Sequence, residues 1–128
     1  MERPHHGLMA WQEAMDVARA VYSLTGEFPV AERFGLTAQM RRAAVSVPSN
    51  IAEGCARGTA RERLHFLYIA RGSLSELDTQ LRLAGDFGFC DPAPALQRVE
   101  CLFGRLAALI RPLRASTYSS KAAKLPPH

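Results

Sequence analysis

The sequence predicts an all-α protein: an antiparallel, up-down four-helix bundle with a proline-kinked second helix, associating with copies of itself. Three observations carry that expectation. Apolar residues recur at three- and four-residue steps through four separate stretches, and no stretch alternates with period two. Glycine and proline punctuate the chain between those stretches, leaving connections short enough for antiparallel neighbours. The second and third stretches also carry an apolar back face, which a bundle of this size would otherwise leave in solvent.

The first helix is predicted from about Leu8 to Leu24, with Trp11, Ala14, Met15, Ala18, Val21 and Tyr22 along one face. "GEFPVAERFG" then breaks it with Gly26, Pro29 and Gly35. The second runs from about Leu36 to Glu53 on a stripe of Leu36, Met40, Ala43, Val47 and Ile51. Gly54 is its expected stop, since glycine takes a left-handed conformation at little cost. The third opens at Thr59, where Thr59-x-x-Glu62 forms a capping box, and continues to about Phe87. Leu67, Ala70, Leu74, Leu77, Leu81 and Ala84 repeat along it in heptads, and Gly88 closes it. Asp91 caps the fourth, with Pro92 at its first position. Its stripe is Leu96, Val99, Leu102, Phe103, Leu106, Leu109, Ile110 and Leu113, and Pro112 is expected to end or bend it near Arg111. Residues 1–115 thus form one bundle domain. Residues 116–128, "STYSSKAAKLPPH", lack an apolar face and are expected to be a disordered basic tail.

The stretch "SVPSNIAEG", residues 46–54, places a proline inside the second helix. Pro48 has no N–H, so the carbonyl of Ala44 loses its helical partner and the ring presses on that turn; a kink is the expected result. Ser46, Ser49 and Asn50 have short side chains able to bond freed backbone groups. Asn50 lies near the edge of the core stripe and needs a partner. A nucleophilic serine would need a base within reach, and the only interior histidine, His65, lies on another helix.

Other chemistry is poorly supported. No apolar run approaches the roughly 20 residues that span a bilayer, and the first residues lack a signal-peptide pattern, so the expected location is the cytoplasm. Cys55, Cys90 and Cys101 are odd in number and widely spaced, arguing against a disulfide framework or a zinc site. Glu62-x-x-His65 has the spacing of one di-iron ligand pair, but no second pair exists. "ARGTARERL" lacks a phosphate-loop pattern. No catalytic residue, metal ligand or cofactor is assigned, and a non-enzymatic role is expected.

Charge is more informative. The net charge is +4, yet residues 41–71 alone hold six arginines against two acids, and residues 111–128 hold four basic residues and no acid. An acidic body therefore carries a basic middle and a basic tail, a pattern that attracts polyanions. Arg41, Arg42, Arg57, Arg61, Arg63 and Arg71 are the candidate nucleic-acid-binding residues. Ala38, Val45 and Ala52 stack opposite the core stripe of the second helix, and Ile69, Gly72 and Leu83 lie on the back of the third with His65 and Glu76. These two faces are the candidate self-association surface; the alternative is that surface alanine reflects helix propensity alone.

"FGLTAQMRRAAVSVPSNIAEG", residues 34–54, and "RERLHFLYIARGSLSELDTQL", residues 61–81, resemble the four-helix-bundle family of S23, or 23S rRNA-intervening-sequence, proteins. "MAWQEAMDVARAVYSLTGEFPVAERFGLT" is similar to that family's first helix and phenylalanine-proline loop, so the similarity covers roughly residues 8–110. The same family includes the accessory variability determinant proteins of diversity-generating retroelements. The resemblance implies a pentameric ring that binds nucleic acid, RNA or DNA, through a basic surface and can partner a reverse transcriptase. Two functions follow as expectations: a homo-oligomeric nucleic-acid-binding protein, or a protein-interaction scaffold whose arginines never meet a phosphate.

Overall fold

Leu67, Ala70, Leu74, Leu77, Leu81 and Ala84 are all buried, and this heptad stripe is the spine of the core. The computed structural model describes residues 3–123. Four helices pack around the spine as an up-down bundle: α1 (Met9–Thr25), α2 (Leu36–Ala56), α3 (Ala60–Asp86) and α4 (Ala93–Ala123). A 3-10 turn, Pro4–Gly7, precedes α1, and another, Val30–Glu32, lies in the α1–α2 connection. Met40, Val47 and Ile51 from α2, with Val99, Leu102, Leu106 and Ile110 from α4, complete the interior. Each such side chain contributes about 1.5–3 kcal/mol when withdrawn from water.

The inner face of α1 is rotated from the expected stripe. Ala10, Ala14, Val17 and Val21 are buried, Trp11, Met15 and Ala18 are half-buried, and Tyr22 is exposed. The small alanines let α1 approach the core closely, and the larger rings flank the seam.

Helix ends follow the predicted chemistry in α3 and α4. Thr59 Oγ1 accepts a hydrogen bond from the Glu62 N–H at 3.1 Å. Gly88, at φ 76°, takes the left-handed turn after α3. Asp91 Oδ1 accepts from the Ala93 N–H at 3.1 Å.

Gly54 does not stop α2, which continues to Ala56. It is buried instead, and a Cβ there would lie 3.3 Å from the Arg63 carbonyl oxygen and 3.4 Å from Phe66 Cβ. Its role is a close approach of α2 to α3.

Pro112 does not end α4 either; the helix runs through it to Ala123. Pro112 and Ala108 are both exposed, so the carbonyl left without a helical donor is open to water. Ile110 is buried and Leu113 half-buried, so the helix stays anchored across the proline. Residues 116–123, expected in a disordered tail, are helical, and residues 124–128 lie outside the described residues.

Candidate nucleic-acid interface

The elbow between α2 and α3 is held by two of the six candidate arginines. Arg57 has extended backbone, φ −84° and ψ 150°, and its carbonyl accepts a hydrogen bond from Arg63 Nε at 2.9 Å. The Arg57 guanidinium lies 4.8 Å from the Phe66 ring centroid and 3.1 Å from Glu53 Oε2. Both partners of that ion pair are exposed, so the pair itself contributes at most about 1 kcal/mol. Arg57 and Arg63 therefore shape the corner, and Arg57 is partly neutralised.

Arg41 is committed to the bundle. Its Nε donates to Thr25 Oγ1 at 2.9 Å, and its guanidinium carbon lies 4.5 Å from the Tyr22 ring centroid. Thr25 is buried and in turn donates to the Val21 carbonyl at 2.7 Å.

The remaining three are exposed: Arg42, Arg61 and Arg71. Arg71 lies over the Tyr68 ring at 4.8 Å, which leaves its N–H fork accessible. Arg61 lines the elbow corner with Arg57, Glu62, His65 and Phe66. Arg42 is fifteen residues before Arg57, about 22 Å along α2 at 1.5 Å per residue. The six arginines do not converge on one patch.

The other candidates are also dispersed. Val45, Ile69 and Leu83 are exposed large apolar side chains, and open space surrounds the position a Cβ on Gly72 would take. Ala38 is half-buried, and Ala52 lines a groove with Pro4, His5 and Cys55, beside the N-terminal turn of its own chain. Pro48 is buried within a continuous α2. Asn50 Nδ2 donates to the Ser46 carbonyl at 2.8 Å and to Ser46 Oγ at 3.0 Å, and Ser46 Oγ is 2.8 Å from Ser73 Oγ on α3. Ser49 Oγ donates to the Val45 carbonyl at 2.8 Å. These side chains serve the carbonyls of Val45 and Ser46 rather than that of Ala44, and Asn50 gains the partner its position requires.

His65 stacks edge-on against Phe66, with ring centroids 5.2 Å apart. Burial pushes the Cys55 thiol pKa up, partly opposed by Arg63; burial and then Asp91 push Cys90 up. Among the described residues no group of three or more His, Cys, Asp or Glu could hold a metal ion, and no helix is long and apolar enough to cross a membrane.

The sequence set left out Arg111 and Arg114, which are exposed on the continuing α4. The available signal was the absence of any acid from residue 111 onward.

Residues 6–108 match the family described as 23S rRNA-intervening sequence protein, and the chain belongs to that family. No curated protein matches the chain.

Proposed function

We propose, starting from that family membership, that the chain is a non-enzymatic homo-oligomeric bundle, a pentameric ring in the cytoplasm, that binds nucleic acid, RNA in particular, through exposed arginines. One observation carries the reading. Arg42, Arg61 and Arg71 are exposed and form no ion pair with a carboxylate among the described residues, whereas Arg19, Arg57, Arg82 and Arg105 each do. A ring repeats each unpaired cation, so many phosphates are met at once and affinity depends on salt. Few exposed aromatics lie among the six, so sequence preference is weak.

Exposed Val45, Ile69 and Leu83 support assembly through the outer faces of α2 and α3. Pro48 sits midway along α2, and a bend there would set the angle at which those faces meet a neighbour. A second reading has its own support: Arg41, Arg57 and Arg63 are engaged within the bundle, as a protein-interaction scaffold serving a reverse transcriptase would allow.

The test is fluorescence anisotropy with labelled RNA and DNA across a salt series, on protein of known oligomeric mass. Tight binding at low salt with a steep negative slope is the expected result. Absence of binding at low salt would overturn the nucleic-acid reading and leave the scaffold.

A further inference from the structure

We infer that the outer face between α3 and α4, at the elbow end of the bundle, is a phosphate track for single-stranded nucleic acid, built from Arg61, Arg71, Arg111 and Arg114 with Tyr118 at its end. This rests on the nucleic-acid reading above and moves its centre to a face the six candidate arginines only touch.

Two contacts fix the register of the antiparallel pair. At one end Gly85 lies so close to Pro92 that a Cβ would fall 2.6 Å from the proline Cγ. At the other, Arg63 and Leu67 share a groove with Leu109, Pro112 and Leu113. Leu67 is therefore level with the turn 109–113. At about 1.5 Å per residue on both helices, Arg61 is level with the turn from Arg114 to Tyr118, and Arg71 with Ala107.

The facing flanks follow from the contacts on the opposite sides. Gly54 and Ser46 of α2 meet Phe66 and Ser73 of α3. At about 100° per residue, positions 68 and 71 then turn toward the other flank, toward α4, and position 61 lies on the outer side of α3, at the corner it shares with Glu62 and His65. On α4, Arg105 reaches across to Glu13 of α1 at 2.9 Å. Positions 107, 111, 114 and 118 therefore lie on the flank toward α3. Arg82 and Glu100 extend the same two flanks downward and interact electrostatically, as this placement requires.

Charge divides along that face. Its lower half is balanced by Asp78, Arg82 and Glu100, with Arg82 Nε 3.1 Å from Asp78 Oδ2. Its upper half holds four arginines, with Glu62 the one acid near them, beside Arg61 at the elbow corner. Arg19, Arg57, Arg82 and Arg105 each pair with a carboxylate, whereas Arg61, Arg71, Arg111 and Arg114 pair with none among the described residues. Like charges gathered on one face repel, and a polyanion laid between them relieves the repulsion. The Arg71 guanidinium carbon lies over the Tyr68 ring, and Tyr118 is 79 % exposed, presenting an aromatic ring on which an unpaired base can stack. A duplex keeps its base faces covered, so the stacking platform selects a single strand.

The experiment titrates the full-length chain and three double or single variants into a fluorescein-labelled single-stranded RNA, following anisotropy across a salt series and oligomeric mass by light scattering. Arg111→Ala with Arg114→Ala, and separately Arg61→Ala with Arg71→Ala, should each weaken low-salt binding at least about tenfold. Each pair should also flatten the log–log salt slope by about 1.4 per chain, at about 0.7 for each lost phosphate contact on a single strand. Mass and helical circular dichroism stay unchanged. Tyr118→Ala should lower affinity without changing the slope. If the parent binds RNA and both arginine pairs bind equally well, the track is wrong while the nucleic-acid reading stands. If the parent does not bind, both fall. A changed mass in either pair would make this face a contact between copies and overturn the track.

Discussion

Arg41 and Tyr22 are locked together across the α1–α2 seam, the guanidinium carbon 4.5 Å from the ring centroid while Nε holds Thr25 Oγ1 at 2.9 Å. Arg42, its neighbour in sequence, is exposed and forms no such contact. Arg41→Ala should therefore cost about 1–2 kcal/mol of stability through the lost hydrogen bond and cation–π contact, and Arg42→Ala should stay within about 0.5 kcal/mol of the parent. Urea denaturation of the two variants side by side checks this. Equal midpoints would mean that the Arg41 contacts contribute nothing measurable.

Gly54 and Gly72 should respond in opposite directions. Gly54 is confined by the Arg63 carbonyl and Phe66, so Gly54→Val would force α2 and α3 apart at a cost of about 2 kcal/mol or more. Gly72 lies in the interior of α3 with open space around it, so Gly72→Ala should add up to about 1 kcal/mol of helix stability. Thermal unfolding measures both, and a stabilised Gly54→Val variant would contradict the close approach.

Self-association through α2 and α3 predicts that Val45→Glu and Ile69→Glu each give a smaller particle in light scattering with unchanged helical content. Both residues are exposed within the chain, so folding should tolerate the charge. Pro48→Ala should leave the bundle folded and weaken assembly. Oligomers that persist in both glutamate variants would place the contact on another face.

The cysteines set a pH limit. Cys55 and Cys90 have thiol pKa values raised in the folded state, chiefly by burial. Between the unfolded and folded pKa the folded chain holds more protons, so raising the pH favours unfolding. Stability should be flat below the ordinary thiol range near about 8.5 and fall above it; replacing both residues with alanine should flatten that alkaline decline. In alkylation at neutral pH, exposed Cys101 should react before the other two.

Much of this architecture is legible in the sequence because α3 buries a single unbroken heptad stripe, and each of its six predicted residues is inside. Turn and cap chemistry at Thr59, Gly88 and Asp91 is equally local and was readable for that reason. What could not be read depended on a partner from elsewhere in the chain. Nothing about Arg41 and Arg42 in sequence distinguishes the one that finds Thr25 from the one that finds water. Gly54 carries the composition of a helix stop, yet its glycine answers to the backbone of Arg63. Pro112 carries the composition of a helix end, but its solvent-facing side removes most of the penalty. Grouping arginines by sequence position joins residues that the helices carry to different faces, since Arg41 turns to Thr25 while Arg42 and Arg71 stay exposed.

The close approach at Gly54 also bears on how the chain reaches this structure. The residues it brings together, Gly54, Arg63 and Phe66, are near neighbours in sequence, so closing the α2–α3 elbow costs little chain entropy. A hairpin of two long helices joined at such short range is the natural nucleus of a bundle dominated by local contacts. Crowding substitutions at Gly54 should then act on the refolding arm of a chevron, slowing folding, whereas truncations late in α4, such as Leu113→Ala, should act mainly by hastening unfolding.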